Sequence, residues 1–355
     1  MRNSRPRESR FTGRLALGAG LATMAGAGAA VAAEMRHRRA VAGDPAWAFL
    51  RPPQAGEVVS VRSADGVSLH AEVFGPADAP PVVLIPGWTE ELQIFDLMLR
   101  VLLERGFRVV SYDPRGQGLS ECEPGLDQSI ERYAEDLSAV LAACCAERDD
   151  VIIAGHSMGG MSLVAWAATV DVSSYARGVA LISTGVSTLV DDLGLLPASL
   201  PVETRRAILT PLLAGDKPMI AISTPLSRAI NRYVMFGPDA TAAHVSFAEQ
   251  MIWRMHGKLR AGAARTMREL DISAALAQIN VPALVVVGDV DRLTPPVHAR
   301  RMVDALPQVA EFLVLPRTGH MTILERPVEL ADALERLAER AGVRGLGETE
   351  AAAGT

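Results

Sequence analysis

Ser157 is the residue whose setting most directly suggests chemistry: it stands in Gly155-His156-Ser157-Met158-Gly159. Small residues around a serine allow a strained strand-to-helix turn that lifts the hydroxyl into the open. The flanks suit such a turn, because the apolar run Val151 to Ala154 leads in as a strand and Met161 to Ala168 leads out as a helix. A serine hydroxyl is a poor nucleophile at neutral pH. It needs a histidine within hydrogen-bond reach and a carboxylate that holds this histidine in one tautomer. In elbow-type sites the carboxylate and then the histidine follow the serine along the chain. Gly288-Asp289-Val290-Asp291-Arg292 supplies two carboxylates after the apolar run Ala283 to Gly288, and Pro316-Arg317-Thr318-Gly319-His320 supplies a histidine after Phe312 to Leu315. Asp289 and Asp291 both satisfy the order. Acyl transfer also builds charge on a carbonyl oxygen, which must meet fixed N–H donors. The backbone of Met158 is one such donor.

These residues need a frame that brings three distant loops to one place. Val58 to Arg62 and Ser68 to Phe74 alternate in polarity around Asp65-Gly66 and predict a β-hairpin. Beyond it, short apolar strands (Val82 to Ile85, Arg108 to Tyr112, Asp150 to Gly155, Gly178 to Ser183, Ala283 to Gly288, Glu311 to Leu315) alternate with helical stretches (Glu91 to Arg105, Ile130 to Ala146, Met158 to Thr169, Val297 to Ala305, Val328 to Ala341). Strands this apolar are buried on both faces. The fold class expected is α/β, a mostly parallel, doubly wound sheet covered by helices. Its strand ends would carry the site. Between Gly185 and Gln278 the pattern shows no strand but several Pro-punctuated apolar segments, and an unstructured loop of that length is implausible in a compact domain. A helical cap over 185–278 is expected, inserted between core segments 58–184 and 279–341. Residues 43–57, with Pro45, Pro52 and Pro53, are expected to be a linker, and 342–355 a disordered tail.

The chain has 355 residues and a formal charge of -6, so clustered Lys and Arg for a nucleic-acid surface are missing from its body. Cys122, Cys144 and Cys145 form neither a disulfide framework nor a zinc pattern. At the N-terminus, Arg2, Arg5, Arg7, Arg10 and Arg14 precede an uncharged run from Leu15 to Ala33 that ends in small residues. This resembles an export signal or membrane anchor covering 1–42, with the body outside, and a membrane-anchored or secreted protein is expected. An Ala-rich helix of a cytoplasmic protein is the alternative.

On these motifs the body, from Val58 to Ala341, resembles the α/β-hydrolase superfamily, close to its bacterial lipase, esterase and perhydrolase branch. The resemblance also rests on Asp113-Pro114-Arg115-Gly116-Gln117-Gly118-Leu119-Ser120, which matches a D-x-R-G-x-G-x-S loop. It implies Asp291, three residues after the strand-ending glycine, as the acid, and His320 of the Gly-His pair as the base. It also implies Trp88 of Ile85-Pro86-Gly87-Trp88 as the second oxyanion donor, although Pro86 replaces the family's histidine. The activity implied is hydrolysis of a small-molecule carboxylic ester, apolar and lipid-like to suit an apolar cap, through an acyl-enzyme and without metal or organic cofactor. Perhydrolysis, lactone opening, thioester hydrolysis and carbon-carbon cleavage use the same trio. Epoxide hydrolases and haloalkane dehalogenases place Asp at the elbow and are set aside. The alternative of another class is a non-catalytic ligand-binding protein, which would betray itself by losing a triad residue.

The remaining candidates have ordinary readings. His156 is expected to pack or hydrogen-bond behind the serine, His244 and His256 to be structural, and His298 to be solvated at the start of a helix. Met219, Met235, Met251, Met255 and Met267 are core fillers as readily as substrate contacts. Arg115, Gly116 and Gly118 are expected to shape the loop beside the site.

Overall fold

The computed structural model describes residues 28, 31–50, 56–197, 199–213 and 223–345. Strands β1 (Glu57–Arg62) and β2 (Ser68–Phe74) form the expected hairpin. They turn at Asp65-Gly66, where Gly66 takes a φ of 90° and the Asp65 carboxylate accepts the Val67 N–H. Six more strands follow: β3 (Pro81–Ile85), β4 (Arg108–Tyr112), β5 (Ile152–His156), β6 (Gly178–Ile182), β7 (Ala283–Gly288) and β8 (Val309–Leu315). The sheet order is β1-β2-β4-β3-β5-β6-β7-β8, with β1 and β2 antiparallel to their neighbours and all other pairs parallel.

Every residue of β3, β5, β6 and β7 is buried, as two-sided cover requires. Successive side chains go to opposite faces. Val83, Ile153, Leu181 and Val285 pack with helices α4 (Ile130–Cys144), α5 (Met158–Ala167) and α11 (Pro296–Ala305). Val82, Ile152, Ala180 and Leu284 pack with α3 (Asp96–Glu104) and α13 (Pro327–Arg340). The helix predicted over Glu91 to Arg105 is divided. Asp113 captures the Leu92 N–H at 2.8 Å, and a 3-10 turn, Leu92–Phe95, precedes α3.

Between β6 and β7 the chain carries the helices α6 (Leu189–Asp192), α7 (Val202–Leu213), α8 (Pro225–Met235), α9 (Ala242–Arg254) and α10 (Gly257–Glu269). Among the described residues this helical insertion contributes no strand, only an isolated bridge between Ser187 and Asp271. Met251 and Met255 are buried in packing, whereas Met219 lies outside the described residues.

At the two ends the expectations need revision. Residues 43–57, read as a linker, hold the short helix α2 (Pro45–Phe49), which follows the helical residues 31–42 (α1). Pro45 sits in the first turn, where its missing N–H costs nothing, and Asp44 caps it by accepting the Ala46 N–H at 3.0 Å. Leu50 is then buried in the core; residues 51–55 lie outside the described residues. Helix α1 rests on the insertion, with His37 Nε2 2.7 Å from Ser246 Oγ and Glu34 paired to Arg228. The Leu15 to Ala33 run lies outside the described residues apart from Gly28 and 31–33, and no described helix is long and apolar enough to cross a membrane.

At the other end, the expected tail begins with an ordered helix stop. Gly342, with a φ of 78°, donates to Glu339 O, and Val343 donates to Ala338 O and is buried. Residues 346–355 lie outside the described residues.

Candidate active site

Four loops at the C-terminal edge of the parallel strands converge on Ser157. The serine follows β5 and precedes α5 with φ of 51° and ψ of -120°, a conformation strained for a side chain with a Cβ. Its glycines make the turn feasible. A Cβ on Gly155 would meet Gly159 O at 2.5 Å, and one on Gly159 would meet Ile85 O at 2.2 Å. The turn is therefore pressed between its own helix and β3.

His320, in the loop after β8, brings Nε2 to 3.0 Å from Ser157 Oγ, and its Nδ1 lies 2.9 Å from Asp291 Oδ2. Asp291 follows β7 and is fully engaged. Its Oδ1 accepts the N–H groups of Leu293 and Thr294 at 2.8 and 2.9 Å, and Oδ2 accepts Thr294 Oγ1–H at 2.9 Å besides the imidazole. A carboxylate so placed orients the imidazole ring between itself and the serine hydroxyl. Asp289, the other carboxylate of this loop, is exposed and accepts the Thr318 N–H at 3.2 Å. Of the two carboxylates, Asp291 is the one that meets His320.

Met158 begins α5, so its N–H has no intrahelical acceptor, and the positive end of the helix dipole lies beside the serine. Trp88 lies in the loop after β3. The peptide between Gly87 and Trp88 is trans, so its N–H points opposite to the Gly87 carbonyl. That carbonyl accepts from Gln117 Nε2 at 3.2 Å, while the Gly87 N–H donates to Glu90 Oε2 at 2.5 Å. A Cβ on Gly87 would come within 3.0 Å of Ser157 Cβ, which places the loop against the nucleophile. The Trp88 side chain donates from Nε1 to Arg260 O at 3.1 Å, tying the loop to α10.

His156 is fully buried behind the serine, with Nδ1 3.0 Å from Glu90 Oε2 and Nε2 3.0 Å from His320 O. The helical insertion also grips His320. Met235 O, at the end of α8, accepts the N–H groups of His320 and Met321 at 2.8 and 3.1 Å. Glu325 of α12 (Thr322–Glu325) accepts the N–H groups of Gly237 and Gly319 at 2.9 and 3.0 Å. Burial pushes the Glu325 carboxyl up to about 7 against those two bonds.

His298, expected in solvent, is buried against Gly185 and near Asp192. Helix α11 packs its first turn inward under the insertion, which no periodicity in that short helix announces. His244 and His256 are helix caps for α9 and α10. Arg115 is buried and pairs with Asp136 and Asp65. Among the described residues no group of three or more side chains is disposed to hold a metal ion.

Thr294, Glu90, Gln117 and Glu325 escape a reading of motifs. Only Thr294 carries a local signal, since Asp followed three residues on by Thr is a spacing that closes a side-chain to backbone turn.

The family described as serine aminopeptidase, S33, matches residues 78–327. A non-heme chloroperoxidase of Streptomyces lividans is 27% identical over 259 residues, 72% of this chain and 87% of that protein. Among solved structures, an esterase from Exiguobacterium antarcticum superposes with a TM-score of 0.66 at 18% identity, covering 80% of this chain and 100% of that one. A bacterial membrane phospholipase A superposes with a TM-score of 0.63 at 20% identity, covering 93% of this chain and 97% of the other. The family match runs from the edge of β3 through all four site loops to the start of α13, and on that ground the chain belongs to the serine aminopeptidase S33 family of α/β-hydrolases.

Proposed function

We propose that the protein is a serine hydrolase that cleaves carboxylic esters with an apolar, lipid-like part. The observation that carries this reading is the continuous chain from Ser157 Oγ through the His320 ring to Asp291, at 3.0 and 2.9 Å. Ser157 attacks the ester carbonyl while His320 Nε2 takes its proton. The oxyanion is met by the N–H groups of Met158 and Trp88. His320 then returns the proton to the departing alkoxide, leaving an acyl-serine, and a water activated by the same nitrogen releases the acid. Asp291 stabilises the imidazolium in both half-reactions.

Support for an apolar substrate comes from the apolar segments of the insertion over 185–278 and from the likeness to a membrane phospholipase A. In the same reading the Leu15 to Ala33 run anchors or exports the protein. Full-length protein is then recovered with membranes or outside the cell, and protein lacking residues 1–42 stays in the cytosol.

The test of the activity is a series of p-nitrophenyl esters of rising acyl length, with Ser157→Ala as control and a fluorophosphonate as covalent probe. Turnover with an optimum at medium or long chains is expected, lowered at least about 1000-fold in Ser157→Ala. A folded protein that neither turns over esters nor takes the fluorophosphonate on Ser157 would be a binding protein instead.

A further inference from the structure

His156 touches no reacting atom, yet both of its ring nitrogens face oxygens. Its Nε2 faces the carbonyl oxygen of His320 at 3.0 Å, and a carbonyl has no proton to give, so Nε2 must carry one. Its Nδ1 faces Glu90 Oε2 at 3.0 Å, an oxygen already receiving the Gly87 N–H at 2.5 Å. An imidazole between two acceptors is satisfied when both nitrogens are protonated, that is, as a cation. Burial alone would strip that proton, but the adjoining Glu90 carboxylate overrides it and holds the imidazole above its usual range. Both side chains are almost wholly buried, so the charges are exchanged between them and not with water.

We propose that Glu90 and His156 form a standing ion pair that locks the oxyanion loop to the base loop, making both of them positioning residues of the site. At one end Glu90 holds the Gly87 N–H, and with it the peptide that presents Trp88 N–H. At the other end His156 holds the carbonyl of His320, whose own N–H is held by Met235. The pair thus spans the distance across which the serine must be deprotonated and the oxyanion received. The inference rests on the serine-hydrolase reading for its catalytic consequence, though not for the charge state.

The experiment is nitrogen NMR of the full chain labelled in its histidine rings, with His156→Gln to assign the signal. A His156 ring protonated on both nitrogens at pH 7, turning neutral in Glu90→Gln, is the expected result; a neutral tautomer in the native protein at pH 7 overturns the proposal. Kinetics on the best ester then tests the coupling. In Glu90→Gln, kcat falls about 10- to 100-fold with KM within about twofold, as small misplacement of reacting groups does. An unchanged kcat would reduce the pair to packing. Because the NMR signal needs no turnover, a doubly protonated His156 beside an unreactive Ser157 would sink the hydrolase reading alone.

Discussion

Gln117 Nε2 donates to the carbonyl oxygen of Gly87 at 3.2 Å, and this bond orients a group that takes no part in it. Across the trans peptide, Trp88 N–H points the opposite way. In the proposed mechanism, a loop residue of the Asp113 to Ser120 motif is thereby linked to charge stabilisation. Replacing Gln117 by Leu, close in size but without a donor, is expected to lower kcat about tenfold and leave KM nearly unchanged. A change in KM alone would mean that the loop serves binding.

The two carboxylates after β7 separate cleanly. Asp291→Asn leaves the site's shape but favours the wrong imidazole tautomer, and kcat should drop by about 10,000-fold. Asp289→Asn should stay within about twofold, because that side chain is exposed and only steadies the Thr318 N–H. Esterase assays of both variants decide the assignment.

Arg115 carries stability and no chemistry. Its guanidinium forks onto Asp136 at 2.7 and 2.6 Å with both side chains wholly buried. Arg115→Met strands a buried carboxylate and should cost about 3–5 kcal/mol in denaturant unfolding, whereas Arg115→Met with Asp136→Leu should cost much less. Activity per folded molecule should be unchanged in each.

Glu325 makes stability depend on pH with a definite sign. Its folded carboxyl sits at about 7 against an ordinary 4.5. Its favourable contribution is therefore complete below about 4.5, and it is lost as pH rises to about 7, because the unfolded chain releases the proton first. Urea midpoints of native protein and Glu325→Gln, compared from pH 4.5 to 8, should show the native losing ground across that window and holding level above it. A constant difference would mean that the carboxyl is ionised throughout.

The frame of the fold was legible because its strands are apolar on both faces and its turns carry glycines whose placement has few explanations. Gly155 and Gly159 could be read as the sides of an elbow, and the structure shows a Cβ at either colliding with backbone. The candidate trio was legible for a related reason: each member closes an apolar strand, so order along the chain stands in for proximity. What escaped was held by long-range contact. Glu90 acquires its meaning only when β3 lies beside β5, and His298 only when the insertion covers α11. Pro45 was misread because proline ends one kind of segment and begins another, and the Asp44 cap decides which.

The bonds from Met235 to the backbone of His320 bear on how this enzyme can be diversified. An insertion that only roofed a pocket would be interchangeable, and a chimera carrying a relative's helices would acquire that relative's selectivity with its rate intact. Here the exchanged piece includes the acceptor that seats the base. A graft that displaces residues 235–237 would misalign the chemistry while redesigning the pocket, so the junction for any such exchange belongs before α8 ends or beyond Gly237.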